Sequence, residues 1–268
     1  HYVSGLTLRA AGAHVVSLIA QRGDLSSAQL TEMLTAYDAL PPAGGYVQTN
    51  SLIARLTSLD FIAQLSRHQK TPQSLGVNTR ISASISFDWN DVMRRINAVY
   101  DSIDSVILNP DPHQRLKAAY DVSAANTELL LSLRKQTDLD STMDKTALLL
   151  SSSWSKRKFA SDALVHVLLG LMMPDASFVQ LDVQTDMRDD LGKIALALAA
   201  FRADHGRYPS RLAELSPEYL TVLPVDAFNG DSLHYVCDGD SYRVWSVGRD
   251  LSDDGGDENT DSLLSTSH

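Results

Sequence analysis

Apolar residues recur along most of the chain at alternating spacings of three and four, the period of an α-helix with one face turned away from water. Val92, Ile96, Val99, Ile103 and Val106 form the clearest stripe. Leu52, Leu56, Leu59 and Ala63 form another, and Leu116, Ala119, Ser123, Leu130 and Leu133 a third with one weak step. Further helices are expected at about 4–21, 27–39, 141–151 and 156–172. Proline and glycine interrupt the pattern at Pro41-Pro42-Ala43-Gly44-Gly45, around Pro72 and at Asn109-Pro110-Asp111-Pro112, and Pro174 ends the last of these helices. No heptad is sustained over three or four repeats, so the stripes point to core packing in a helical bundle and not to a coiled coil.

From about residue 177 a longer helix runs through Leu191, Ile194, Ala195, Leu198 and Phe201. It is expected to stop at Gly206, because glycine just past the last periodic residue takes positive φ without strain. The pattern then changes. Pro209, Pro217 and Pro224 punctuate short segments, after which Leu233 to Cys237 and Tyr242 to Val247 alternate and carry β-branched and aromatic residues. Asp238-Gly239-Asp240-Ser241 between them is turn chemistry, so a β-hairpin is expected.

Composition adds little until charge is considered. Hydrophobic residues at 44% and charged residues at 21% are ordinary for a folded chain and exclude wholesale disorder. The net charge of −10 is not spread evenly: residues 1–176 balance 16 acidic against 16 basic side chains, whereas residues 177–268 carry 17 against 7. An acidic second region repels phosphate backbones and takes cations as partners, which argues against nucleic-acid binding. A single cysteine, Cys237, excludes an intramolecular disulfide. The most apolar run, Ala163 to Met173, is about half the ~20 residues a membrane span needs and contains His166. The chain opens at His1, so an N-terminal segment carrying any export signal or membrane anchor is expected to have preceded it.

One stretch carries a specific order of motifs. A helix ends in Ala203-Asp204-His205-Gly206-Arg207-Tyr208-Pro209, followed by Leu212 and Leu215, then Tyr219-Leu220. Next come Leu223-Pro224-Val225-Asp226-Ala227-Phe228-Asn229-Gly230, a strand with Tyr235, and Trp245-Ser246-Val247-Gly248-Arg249-Asp250. From Leu191 to Asp257 this order resembles the globular head of the major pseudopilins of type II secretion, in which a helix is followed by G-x-Y-P, L-P-x-D-P-x-G, two strands, Y-S-x-G-x-D and an acidic, glycine-rich tail. Ala227 stands where that family usually has proline and Leu251 where it usually has glycine. The family's long hydrophobic N-terminal helix is not in this chain. The resemblance implies a long helix packed on a small antiparallel sheet, and a structural calcium ion held by the loop after the last strand.

The residues of that loop suit the ion on their own terms. Asp250, Asp253, Asp254, Asp257, Glu258 and Asp261 place six carboxylates in twelve residues with no base among them, and Gly255-Gly256 allows a sharp backbone return. Calcium takes about six to eight oxygen ligands, which clustered carboxylates and carbonyls supply. The spacing is not that of an EF-hand. By the family's pattern Asp250 is the first ligand and Asp257 or Asp261 a later one, with backbone carbonyls near Ser246 and Val247 completing the shell. The alternative use of such a segment is a solvated acidic tail.

Catalytic signatures are absent from the sequence. No two of the eight histidines lie at an i, i+4 metal spacing, and no nucleophile elbow, P-loop or dinucleotide fingerprint occurs. Ser-x-x-Lys at Ser132/Lys135 and Ser153/Lys156 lacks its partner motifs. Asp189 and Asp190 are neighbours on a helix and so point apart, and Lys156-Arg157-Lys158 reads as a solvated face. His166 and Cys237 read as buried packing residues.

The expected fold class is α+β: an N-terminal all-α helical bundle over 1–175, a pseudopilin-like domain with a long helix, small antiparallel sheet and acidic loop over 176–261, and a tail over 262–268. The expected function is that of a non-catalytic, periplasmic or extracytoplasmic protein, tethered to the membrane only through an N-terminal segment. Its expected partners are envelope proteins related to type II secretion-like machinery. An enzyme or enzyme accessory with a site in the helical region, and a true secretion-apparatus subunit, are the alternatives.

Overall fold

A computed structural model of the chain describes residues 2–39, 45–67, 87–137, 152–172, 176–256 and 262–265. The described helices are α1 Tyr2–Gln21, α2 Ser27–Asp38, α3 Gly45–Ser66, α4 Trp89–Ile107, α5 Pro112–Thr137, α6 Ser153–Met172 and α7 Ser177–His205. After a 3-10 turn at Leu212–Leu215 come strands β1 His234–Asp238, β2 Ser241–Ser246 and β3 Ser262–Ser265, in one antiparallel sheet of order β1-β2-β3. The fold is α+β. The helix expected at 141–151 lies outside the described residues. None of the described helices is long and apolar enough to cross a membrane.

The chain divides into two compact units whose bounds differ from a split near residue 175. The first contains 1–47, 109–117 and 177–268, and the second 48–108 and 118–176. The first two helices thus belong with α7 and the sheet instead of with the other helices. The reason is the burial of α7, whose apolar residues are covered on nearly every side: Val183, Met187, Ile194, Leu196 and Leu198 are all inaccessible or nearly so. A three-stranded sheet cannot enclose such a helix, and α1 and α2 supply the remaining cover. Periodicity shows that a helix has a buried face but not which element buries it.

Local signals mark the ends of these elements. Ser26 caps α2 in a capping box with Gln29, and Gly206 closes α7 at φ +70° with its N–H donating to the Arg202 carbonyl at 2.8 Å. Just before that glycine, Asp204 accepts hydrogen bonds from Ser27 Oγ at 2.7 Å and Tyr219 Oη at 2.8 Å. These bonds, the Ser27 one foremost, hold its carboxyl below the ordinary range. The aspartate of the Ala203–Pro209 motif therefore fixes the end of α7 against α2 and the loop after it. Segment 109–117 is anchored in the same unit. The His113 Nδ1 lies 2.7 Å from the Phe228 carbonyl, and the buried Arg115 guanidinium meets Asp186 at 2.5 Å and Asp182 at 3.3 Å.

In the second unit the α4 stripe is buried as its spacing predicts, from Val92 to Val106. The α3 stripe is not. Leu52 and Leu56 are 55% and 58% exposed, and the buried face carries Ser51, Ser58, Ile62 and Leu65. Polar contacts with α4 select that face. Arg55 donates to Asn97 at 2.6 Å, Asp101 at 2.7 Å and Asp104 at 2.9 Å, Ser51 Oγ donates to Asp104 at 2.6 Å, and Ser58 meets the Tyr100 hydroxyl at 2.8 Å. A directional network of this kind fixes helix rotation where an apolar stripe alone does not. The α6 helix joins α4 through Arg95–Asp162 at 2.6 Å and through Ser161, whose Oγ accepts the Asp88 N–H at 2.8 Å. His166, expected in the packing of α6, is half-buried there.

The expected hairpin is present with a shorter turn, since Asp238 pairs directly with Ser241 and only Gly239 and Asp240 intervene. Its Gly239 takes φ +62°, as a two-residue hairpin turn requires. Cys237 is half-buried on β1. Residues 262–265, expected to open a tail, instead form β3, pairing Ser246 with Ser262 and Arg243 with Ser265.

Candidate functional site

The acidic connection between β2 and β3 begins from a buried carboxylate. Asp226 is fully buried, and it accepts hydrogen bonds from the Phe228 N–H at 2.9 Å, Ser246 Oγ at 2.9 Å and the Val247 N–H at 2.8 Å. Its own N–H donates to the Asp231 carbonyl, its carbonyl accepts from the Gly230 N–H, and Val225 bridges Ser232. One side chain thus closes the 225–232 loop on itself and ties it to the last residues of β2. Ser246 is fully buried, and its Oγ also accepts the Gly248 N–H at 3.1 Å. Ser246 and Val247, expected near the metal through their carbonyls, are therefore held at the root of the loop by Asp226. Asp226 stands in a motif of the sequence without a role there, because two of its three partners, Ser246 and Val247, lie about twenty residues away and leave no local spacing signal.

Beyond this root the loop folds back on the sheet. Asp253 Oδ1 accepts the Trp245 indole N–H at 2.9 Å and the Gly255 N–H at 3.1 Å, while Oδ2 lies 3.5 Å from His234 Nδ1. Trp245 stacks on its cross-strand partner His234 with ring centroids 5.3 Å apart, and Arg243 lies over the indole while donating to the Gly255 carbonyl. The Trp245 hydrogen bond, then the Gly255 N–H, with His234 contributing less, hold the Asp253 carboxyl below its ordinary range. Asp253 clamps the loop to the sheet.

Asp250 is exposed and accepts the Ser252 N–H at 3.1 Å, and Asp254 is exposed. Between them Leu251 adopts φ +60°, a left-handed conformation that side chains take at a cost of roughly 1–2 kcal/mol. It is the position where the resemblance calls for glycine. Asp257, Glu258 and Asp261 lie outside the described residues. Among the described residues no three His, Cys, Asp or Glu side chains come together to hold a metal ion. Asp250 and Asp254 fit a calcium site only together with donors from the rest of the loop. The β2–β3 pairing sets where that loop ends, since Ser262 sits opposite Ser246.

A second concentration of charge lies along α7. Besides the Arg115 pairs, Tyr37 Oη donates to the buried Asp189 at 2.9 Å, and Lys193 meets Asp38 at 3.2 Å and Asp190 at 3.3 Å. Burial, reinforced by the nearby Asp186 and Asp189 and opposed by Lys193, pushes the Asp190 carboxyl up to about 6. Asp189 and Asp190 point to different partners, so they do not form an acid–base pair. Comparison of the chain with family models, with curated proteins and with solved structures finds no match.

Proposed function

We propose that this protein is a non-catalytic component of the bacterial cell envelope, with a C-terminal region like the head of a type II secretion major pseudopilin and a calcium ion ordering the β2–β3 connection. Its role is structural or binding, directed to protein partners on the periplasmic side. The observation that carries this reading is the pairing of β3 with β2: the sequence between these two paired strands holds the carboxylates of Asp250, Asp253, Asp254, Asp257, Glu258 and Asp261. A carboxylate-rich loop with fixed ends repels itself, and a divalent cation removes that repulsion.

Two further features support the pseudopilin likeness. Asp226, the aspartate of the Leu223–Gly230 motif, organises the root of the loop, and Leu251 takes a backbone conformation suited to the glycine usual there. In this reading Asp250 and Asp254 hold the ion with Asp257 and Asp261, while Asp253 keeps the loop on Trp245.

Thermal melts in calcium and in chelator test the proposal. A ligand at about 100 times its Kd stabilises the native state by about 2.7 kcal/mol. The melting temperature is expected to rise by several degrees in calcium, and Asp250→Asn is expected to remove most of that rise. Equal melting temperatures in calcium and chelator would overturn the proposal.

A further inference from the structure

Where α1 ends and α7 ends, the first unit carries a groove of about 410 Å³ whose lining includes Arg22, Leu30, Ala199, Arg202, Ala203 and Tyr208 and no acidic residue. That volume falls within the roughly 300–1,000 Å³ of small-molecule sites. The floor stays open because α7 presents alanine at 199 and 203, one turn apart.

Arg202 is the group that points to a ligand. It is half-buried, its Nη1 donates to the Tyr208 hydroxyl at 3.1 Å, and its guanidinium lies over the Tyr208 ring at 4.9 Å from the centroid. A guanidinium offers five N–H donors, and among the described residues no carboxylate forms an ion pair with this one. Among the described residues the partner of this cation is a neutral phenol, which leaves its remaining N–H donors to an anion. Capping of the α7 carbonyls does not account for it, since His205, at the same helix end, contacts the Phe201 carbonyl while Arg202 turns to Tyr208. Arg22 lies on the same groove in an exposed pair with Asp24 at 2.9 Å, a contact that is easily exchanged.

We propose that this groove binds a carboxylate carried on a short apolar chain. The planar guanidinium fork of Arg202 matches a carboxylate bidentately, Tyr208 holds the fork in place, and the apolar chain lies along Ala199, Ala203 and Leu30. A fatty acid and the C-terminus of an apolar peptide share this chemistry.

The test is calorimetric titration of the full chain with hexanoate and with the dipeptide N-acetyl-Leu-Leu, against hexan-1-ol and the N-acetylated dipeptide amide. Saturable binding of a carboxylate, at least tenfold tighter than its uncharged counterpart, is expected. Tighter hexanoate assigns a fatty acid, and tighter dipeptide assigns a peptide terminus. Arg202→Gln is expected to weaken binding at least tenfold. Ala203→Leu, at an exposed position that tolerates the larger side chain, is expected to block the groove to the same degree. Failure of both carboxylates to saturate, equal binding of the uncharged counterparts, or undiminished binding by Ala203→Leu would each overturn the proposal.

Discussion

In the first unit, polar groups are buried as single directional anchors inside an apolar core. Asp226 sits beneath the sheet with three hydrogen bonds, and Arg115 enters the α7 surface to meet Asp182 and Asp186. In the second unit they form the interface between helices. Arg55, Ser51 and Ser58 turn α3 toward α4 and leave Leu52 and Leu56 in water. An anchor under a sheet fixes one loop root to within a residue, whereas a polar seam between helices fixes a rotation. Loss of the Asp226 anchor therefore costs more than loss of Arg55 from the seam, because the groups stranded around Asp226 are buried, whereas Arg55 and its aspartate partners are partly exposed to water.

The largest effect is expected from Asp226→Ala, which leaves two buried N–H groups and a serine hydroxyl unpaired and should destabilise by about 3–5 kcal/mol in urea unfolding. A loss below 1 kcal/mol would remove the distinction between anchor and seam. Arg115→Met is expected to cost about 3 kcal/mol by removing the cation buried against Asp182 and Asp186. Adding Asp182→Leu should recover a substantial part of that loss, as a double-mutant cycle would measure. Arg55→Leu, at a partly exposed seam, should cost only about 1 kcal/mol.

A smaller effect concerns Asp190. Its carboxyl is raised to about 6, above the ordinary 3.8, so the folded state binds this proton more tightly than the unfolded state does. Its contribution to stability is fully present below the unfolded value and is lost as pH rises through about 6. Asp190→Asn should therefore be more stable than the parent above that pH, by about 1 kcal/mol after the lost Lys193 contact is allowed for, with the advantage gone at pH 4. A pH-independent difference would contradict the burial argument. Leu251→Gly should stabilise by about 0.5–1 kcal/mol, because relief of the left-handed strain exceeds the extra freedom of glycine in the unfolded chain.

The helices from α1 to α7 and the hairpin were legible because each rests on local spacing and local caps, such as Ser26 with Gln29 or the glycine at 206. What was not legible depends on distant partners. The exposure of Leu52 follows from Arg55 meeting residues more than forty positions away, and the joining of α1 to α7 follows from the all-round burial of a helix nearly at the far end of the chain. β3 was hidden because Ser262-Leu263-Leu264-Ser265 is short and becomes a strand only by pairing with β2. At the candidate site, the acidic cluster was visible as composition. The assignment of Asp253 to Trp245 and of Asp226 to the loop root was not, because both are tertiary hydrogen bonds.

Calorimetric titration of the chain with calcium, with magnesium as the comparison ion, tests the central claim most directly. The proposed site predicts saturable binding of one calcium ion per chain, weaker binding of magnesium because it resists dehydration and demands octahedral geometry, and loss of the calcium signal in Asp250→Asn. Absence of a saturable calcium signal, or a signal unchanged by Asp250→Asn, would contradict it and leave the connection after Gly248 as a solvated acidic segment.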